Sequence, residues 1–209
     1  MVDAAGLDRF PLLGVSQGGP LAVAYAALRP GRVSRLVLNA AYLRGRIARA
    51  RNAAERAEAA LDLDLALTGW ASQNRSYQRF FAAQFFASTS PEQWDEFTSY
   101  QRRTTSMANG ARFLTEQSRV DVAHLARQIR CPTLIVHSRD DPRIPVSEAT
   151  EMAALIPGSR LIVLDSRNHL LTADEPAWPT FLAEMYAFLD EEDPGQLQPS
   201  VEPGCAAAR

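Results

Sequence analysis

The stretch Phe10-Pro11-Leu12-Leu13-Gly14-Val15-Ser16-Gln17-Gly18-Gly19 runs directly into Pro20-Leu21-Ala22-Val23-Ala24-Tyr25-Ala26-Ala27-Leu28, and its reading decides the fold. An apolar run of strand length, a glycine-rich turn and an alanine-rich segment of helical composition follow one another without a spacer. Serine stands at the apex of the turn, in the pattern Gly-x-Ser-x-Gly. A hydroxyl carried on a sharp strand-to-helix turn projects beyond the sheet, and the helix behind it aims its positive end at the same place. Gly14 and Gly18 are expected because a strained turn leaves little room for side chains two residues to either side of Ser16. Gly19 is expected to let the helix pack closely. The Gln17 N–H is the expected donor to an oxyanion formed at Ser16.

A serine hydroxyl is a poor nucleophile until a base removes its proton, and the base needs a carboxylate to orient it. Both partners follow in the chain. Asp141 comes after the strand-like Thr133-Leu134-Ile135-Val136-His137, and His169 after the strand-like Arg160-Leu161-Ile162-Val163-Leu164. Asp140-Asp141-Pro142 is also an ordinary turn signal, so Asp141 gains its catalytic reading from the joint presence of Ser16 and His169. His137, at a strand end, and His124, in the helix-like Val122-Ala123-His124-Leu125-Ala126, are read as structural.

These features resemble the α/β-hydrolase family over residues 7–190. In Cys131-Pro132-Thr133-Leu134-Ile135-Val136-His137-Ser138-Arg139-Asp140-Asp141-Pro142-Arg143-Ile144-Pro145, the family's acid lies four residues before the last proline, which selects Asp141 over Asp140. The phrases Asn168-His169-Leu170-Leu171 and Asp174-Glu175-Pro176-Ala177-Trp178 look most like bacterial hydrolase domains found beside LuxR-type helix-turn-helix or nucleotide-cyclase domains. The resemblance implies an α/β fold, a parallel sheet with a helical lid insertion. It also implies four strands ahead of the nucleophile strand and a second oxyanion donor from the loop after the third, which residues 1–8 are too few to supply. The chain therefore reads as a partial α/β-hydrolase fold with its N-terminal strands missing. The favoured expectation is an upstream extension in the same reading frame; the alternative is a natural or degenerate fragment that pairs with another subunit or no longer catalyses. For partners the expectation is either a homo-oligomer or the missing N-terminal half.

Strands near 10–15, 33–39, 133–137 and 160–164 are expected side by side in sequence order. Right-handed crossovers stepping in one direction put their helices on one face of the sheet, which leaves only the helix over Ala177–Leu189 for the other. Part of that second face is then bare, and the nucleophile strand is an apolar edge. Residues 1–190 form the expected domain, with a lid over about 42–125 holding helices near 45–69, 74–87, 91–105 and 108–118. Of its aromatics Trp70, Tyr77, Phe80, Phe81, Phe85, Phe86, Trp94, Phe97, Tyr100 and Phe113, most are expected in the lid's own core and a few above Ser16. Residues 191–209 lack apolar periodicity and read as a disordered tail.

With 209 residues, 46% of them hydrophobic, the chain is long enough for one domain with an ordinary core. A net charge of −2 gives no reason to expect nucleic-acid binding, and the 22 basic residues, all arginine, are spread along the chain. Arg44, Arg46, Arg49, Arg51 and Arg56 cluster, but Glu55, Glu58, Asp62 and Asp64 interleave with them as on a solvated helix face. No run has the length of a membrane span and the start does not resemble a signal peptide, so the cytoplasm is the expected location. Cys131 and Cys205 have neither the number nor the spacing of a disulfide framework or a metal site. The expected function is a serine hydrolase acting on an ester, lactone or similar small acyl substrate through Ser16, His169 and Asp141, without metal or cofactor, its activity impaired or incomplete in the truncated chain. The competing expectation is a hydrolase-fold module that senses a ligand without turning it over.

Overall fold

A computed structural model describes residues 2–72, 74–87 and 89–191, with the backbone alone at 70 and 71. The residues expected as a tail lie outside it from 192 onward. Four parallel strands, β1 (Phe10–Val15), β2 (Val33–Asn39), β3 (Thr133–Ser138) and β4 (Arg160–Leu164), stand in sequence order in one sheet. The register pairs Val15 with Asn39, Asn39 with Val136 and Ser138 with Leu164, so the strands' carboxyl ends lie level along one rim. Loops leaving that rim carry Ser16, Asp141 and His169.

The two faces of the sheet are covered unequally, as the handedness of the crossovers requires. Helices α1 (Gly18–Leu28), α6 (Ala123–Ala126) and α7 (Val146–Leu155) bury Leu36, Leu38 and Ile135 on one face. Among the described residues only α8 (Ala177–Asp190) covers the other, where Phe181 and Phe188 pack on Val37, Leu134, Val136 and Leu164. It packs on β3 and β4. Leu13 on β1, next in line across that face, is left 48% exposed. Among the described residues β1 pairs with β2 alone, an edge strand with an apolar side chain in the open.

Among the described residues five helices lie between β2 and β3, the short α6 being preceded by α2 (Ala53–Ala71), α3 (Arg75–Ala83), α4 (Pro91–Thr104) and α5 (Met107–Arg119). Local caps fix their starts. Asn52 accepts the Glu55 N–H, Ser90 and Gln93 form a reciprocal box ahead of Pro91, and Ser106 accepts the Asn109 N–H. The helix expected from residue 45 starts eight residues later. Residues 45–48 are drawn off instead to the end of α5, Gly45 N–H donating to the Val120 carbonyl and Ile47 N–H to that of Ser118. The helix expected to reach 87 ends at Ala83, because the chain turns there to bring Phe85 to the His169 loop. Helix α7 was not distinguished from its surroundings by sequence alone.

The glycines around the turn divide by what lies near them. A Cβ on Gly14 would sit 2.8 Å from the Ala22 Cβ, and one on Gly19 would sit 2.4 Å from the Ala41 Cβ. Gly18 does not fit the expectation, since a Cβ there would meet nothing within 4 Å on the open first turn of α1. Gly19→Ala is therefore expected to cost about 1–3 kcal/mol through overpacking. A thermal melt should show it as a lowered Tm, with Gly18→Ala as the mild control.

Candidate active site

Ser16 has φ +51°, in the left-handed region that a side chain makes unfavourable by roughly 1–2 kcal/mol. Two hydrogen bonds hold it there: its N–H donates to the Asn39 carbonyl (2.9 Å) and its carbonyl accepts the Gly19 N–H (2.9 Å). The strain turns the hydroxyl away from the sheet, toward His169. Gln17, the cap of α1, lies next to it at the helix N-terminus, where the first N–H groups have no intrahelical partner.

The structure brings the three residues selected from the sequence into one hydrogen-bonded line. Asp141 Oδ2 accepts from His169 Nδ1 at 2.7 Å, and His169 Nε2 lies 2.8 Å from Ser16 Oγ. A carboxylate can only accept, so Nδ1 carries the imidazole proton, Nε2 is bare and the Ser16 O–H donates to it. Asp141 Oδ1 is engaged separately by the N–H groups of Arg143 (2.8 Å) and Ile144 (2.9 Å). The His169 and Asp141 side chains are fully buried and Ser16 is 4% exposed. Asp140, the rejected neighbour, points to solvent.

Each member is braced from behind. His169 N–H and Leu170 N–H both donate to the Phe85 carbonyl (3.0 and 3.2 Å), and the Phe85 ring meets the imidazole edge-on. Glu175 ties the same loop on two sides, accepting from Ser166 Oγ and from the Thr172 N–H. His137 Nε2 donates to the Ile144 carbonyl at 2.9 Å and so holds the acid loop, in keeping with its structural reading. His124 is exposed on α6, away from this network.

Burial pushes the His137 pKa down, outweighing the Ile144 bond and the nearby Asp141 charge, and keeps its ring neutral. Its folded-state value thus lies below the ordinary 6.5 of the unfolded chain. The stability this group contributes is complete above that ordinary value and is lost as pH falls from it toward the folded-state value. His137→Gln should therefore flatten the fall in Tm between about pH 7 and about pH 5, measured against the parent chain.

A cavity of about 810 Å³ opens above Ser16 and Gln17. Phe81, Phe85, Phe97, Tyr100 and Phe113 contribute to its walls, five of the nine candidate aromatics whose side chains are described, Trp70 lying outside them. Phe81 and Phe85 also belong to a core between α2 and α5, whereas Tyr77 and Phe80 lie exposed outside the cavity. Arg143 is the site residue that sequence reasoning left without a role, and Phe85 was weighed only as one lid aromatic among ten. Arg143 carried one usable signal, its place two residues after the acid. Among the described residues no group of three or more His, Cys, Asp or Glu is placed to hold a metal ion. No described helix is long and apolar enough to cross a membrane.

A parallel α/β sheet with serine, histidine and aspartate at its carboxyl rim defines a class, and comparison with known sequences gives it a name. Residues 1–176 match the family described as alpha/beta hydrolase fold, and the chain belongs to it. It is 27% identical over 175 residues to a Shigella flexneri protein provisionally named carbamate hydrolase RutD, a match covering 83% of this chain and 64% of that protein. The chain thus spans less than two thirds of that relative's length. It is 28% identical over 192 residues to a pyrrolizixenacetamide deacetylase of Xenorhabdus hominickii, covering 91% of this chain and 69% of the relative. Among solved structures, an esterase from Exiguobacterium antarcticum has the same fold, with a TM-score of 0.72 at 22% identity over 90% of this chain and 69% of the esterase.

Proposed function

We propose that this protein is a serine hydrolase that transfers the acyl group of an ester, lactone or similar small substrate to water. The observation that carries the proposal is the unbroken hydrogen-bond line from Asp141 through His169 to Ser16 Oγ at the floor of a cavity. In the proposed reaction Ser16 Oγ attacks the carbonyl carbon while its proton passes to His169 Nε2. Asp141, already bound to Nδ1, offsets the charge of the imidazolium. The tetrahedral oxyanion meets the Gln17 N–H at the start of α1. Collapse breaks the bond to the leaving group, which takes the proton from Nε2, and a water then repeats the sequence to release the acid and restore Ser16.

The names of two relatives, a hydrolase of carbamates and a deacetylase, both describe the cleavage of a carbonyl–heteroatom bond and support this reading. The helices α2–α5 are the proposed lid over the substrate, their aromatic side chains suiting an apolar portion of it. A fluorophosphonate probe tests the assignment directly, because it forms a stable bond only with an activated serine. Labelling mapped to Ser16 and absent from Ser16→Ala is the expected result. Folded protein that does not label would overturn it in favour of a ligand-sensing module.

A further inference from the structure

Arg143 leaves the acid loop two residues after Asp141, and its backbone is fixed on both sides. Its N–H binds Asp141 Oδ1 at 2.8 Å, and its carbonyl accepts Arg49 Nη2 at 3.2 Å. The side chain forms part of the same cavity wall as Ser16. Its guanidinium carbon lies 4.7 Å from the centre of the Phe85 ring and 5.2 Å from that of Phe81, against the faces of both. Among the described residues its one side-chain hydrogen bond runs from Nη1 to Gln84 Oε1 at 2.8 Å, to a neutral amide. No described residue forms an ion pair with it.

The neighbouring charges do not neutralise this cation. Asp62, a carboxylate whose charge acts on it, already accepts from Arg46 Nη1 (2.6 Å) and from Gln84 Nε2 (2.7 Å). Gln84 thereby has its oxygen turned toward Arg143 and its amino group toward Asp62. Arg46 and Arg49 add two further positive charges, and Glu148 faces Arg49. On the cavity's rim the exposed Arg112 and Glu116 offset each other in sign. The Asp141 carboxylate is held by His169 Nδ1–H and by the Arg143 and Ile144 N–H groups, and Arg46 and Arg49 lie outside the lining. Among the described lining residues Arg143 therefore carries the one charge left unmatched, on a half-buried guanidinium with four of its five N–H donors unused by described residues.

We infer that Arg143 anchors a carboxylate, and that the cavity selects acyl compounds carrying an ionised carboxyl group in addition to the bond to be cleaved. A guanidinium clamped between aromatic faces keeps its fork fixed, which suits two parallel hydrogen bonds to a carboxylate. Desolvation makes burial of such a cation unfavourable when nothing negative pairs with it, and a substrate anion supplies the pair. Phe85 touches both the Arg143 guanidinium and the His169 ring, so the anchor lies one aromatic ring away from the group that activates Ser16. The half-ester of a short dicarboxylic acid has this form, an ester at one end and a carboxylate at the other.

The inference rests on the serine-hydrolase reading for which end of the substrate reacts, but its test does not depend on turnover. Monomethyl and dimethyl esters of glutaric, adipic and suberic acid are titrated calorimetrically into the full chain carrying Ser16→Ala, with and without Arg143→Gln or Arg143→Lys. In the Arg143 background the best half-ester should bind at least tenfold more tightly than its dimethyl ester. Arg143→Gln should bring that ratio to near unity, and Arg143→Lys should retain part of it. Equal binding of half-ester and diester to the chain with Arg143 intact overturns the inference, whether or not the variants fold. So does a charge preference that persists in a folded Arg143→Gln chain. Failure of Ser16 to label with a fluorophosphonate would instead remove the hydrolase reading and leave the charge preference standing as a binding property.

Discussion

Ser16→Ala should lower kcat against a 4-nitrophenyl ester by about 10⁴- to 10⁶-fold, the range seen when the nucleophile of such a triad is removed. KM should stay within a few-fold, because the cavity walls are untouched. The variant also separates a chemical role from a structural one. The side-chain hydrogen bond of Ser16 is the one to His169 Nε2, so its loss leaves a single buried acceptor unpaired. That costs roughly 1–3 kcal/mol, a few degrees of Tm in a domain of this size. Alanine keeps the Cβ and thus the strain at φ +51°, so no large relief or further loss is expected from the backbone. If activity fell only in proportion to folded protein, Ser16 would be a structural residue of the turn.

The sheet was largely legible because every strand is a short apolar run whose alternate residues must face different helices. Leu36 and Leu38 pack with α1 while Val37 packs with α8, and the neighbours Leu134 and Ile135 divide in the same way. Strand order and the bare part of one face followed from crossover handedness, which depends on chain chirality and not on any one residue. Ser16, His169 and Asp141 were legible through their positions after strand ends. The choice of Asp141 over Asp140 needed the resemblance to a family, since as turn residues the two are equivalent.

What escaped the sequence depends on contacts between segments that local periodicity does not connect. Phe85 looked like any lid aromatic, yet its carbonyl holds the backbone of His169 and its ring separates His169 from Arg143. Residues 45–52 have helical composition, but hydrogen bonds to the end of α5 and the cap at Asn52 delay the helix. Gly18 satisfied the Gly-x-Ser-x-Gly pattern without the crowding used to explain it, so its place in the motif has no steric account here.

Asp141→Asn should lower kcat by about 10⁴-fold at neutral pH while leaving the fold intact, and the reason is a proton in the wrong place. In the parent chain one carboxylate oxygen accepts two backbone N–H groups, from Arg143 and Ile144, and the other accepts His169 Nδ1–H. An asparagine has one oxygen and one amino group to put in those two positions. Two fixed donors face Oδ1, so the amide oxygen must turn toward them, and its NH₂ is left facing His169. Nδ1 then has to accept, which moves the imidazole proton to Nε2, the atom that must be bare to take the proton of Ser16. The opposite amide orientation would set an NH₂ against two N–H groups, with two buried backbone donors unpaired at roughly 1–3 kcal/mol each. The loop geometry therefore commits the variant to the inactive tautomer. Fluorophosphonate labelling of Ser16 should slow in parallel with kcat, while Tm should change by no more than a few degrees. A variant that labels at the parental rate would show that Asp141 braces its loop and has no part in setting the proton on His169.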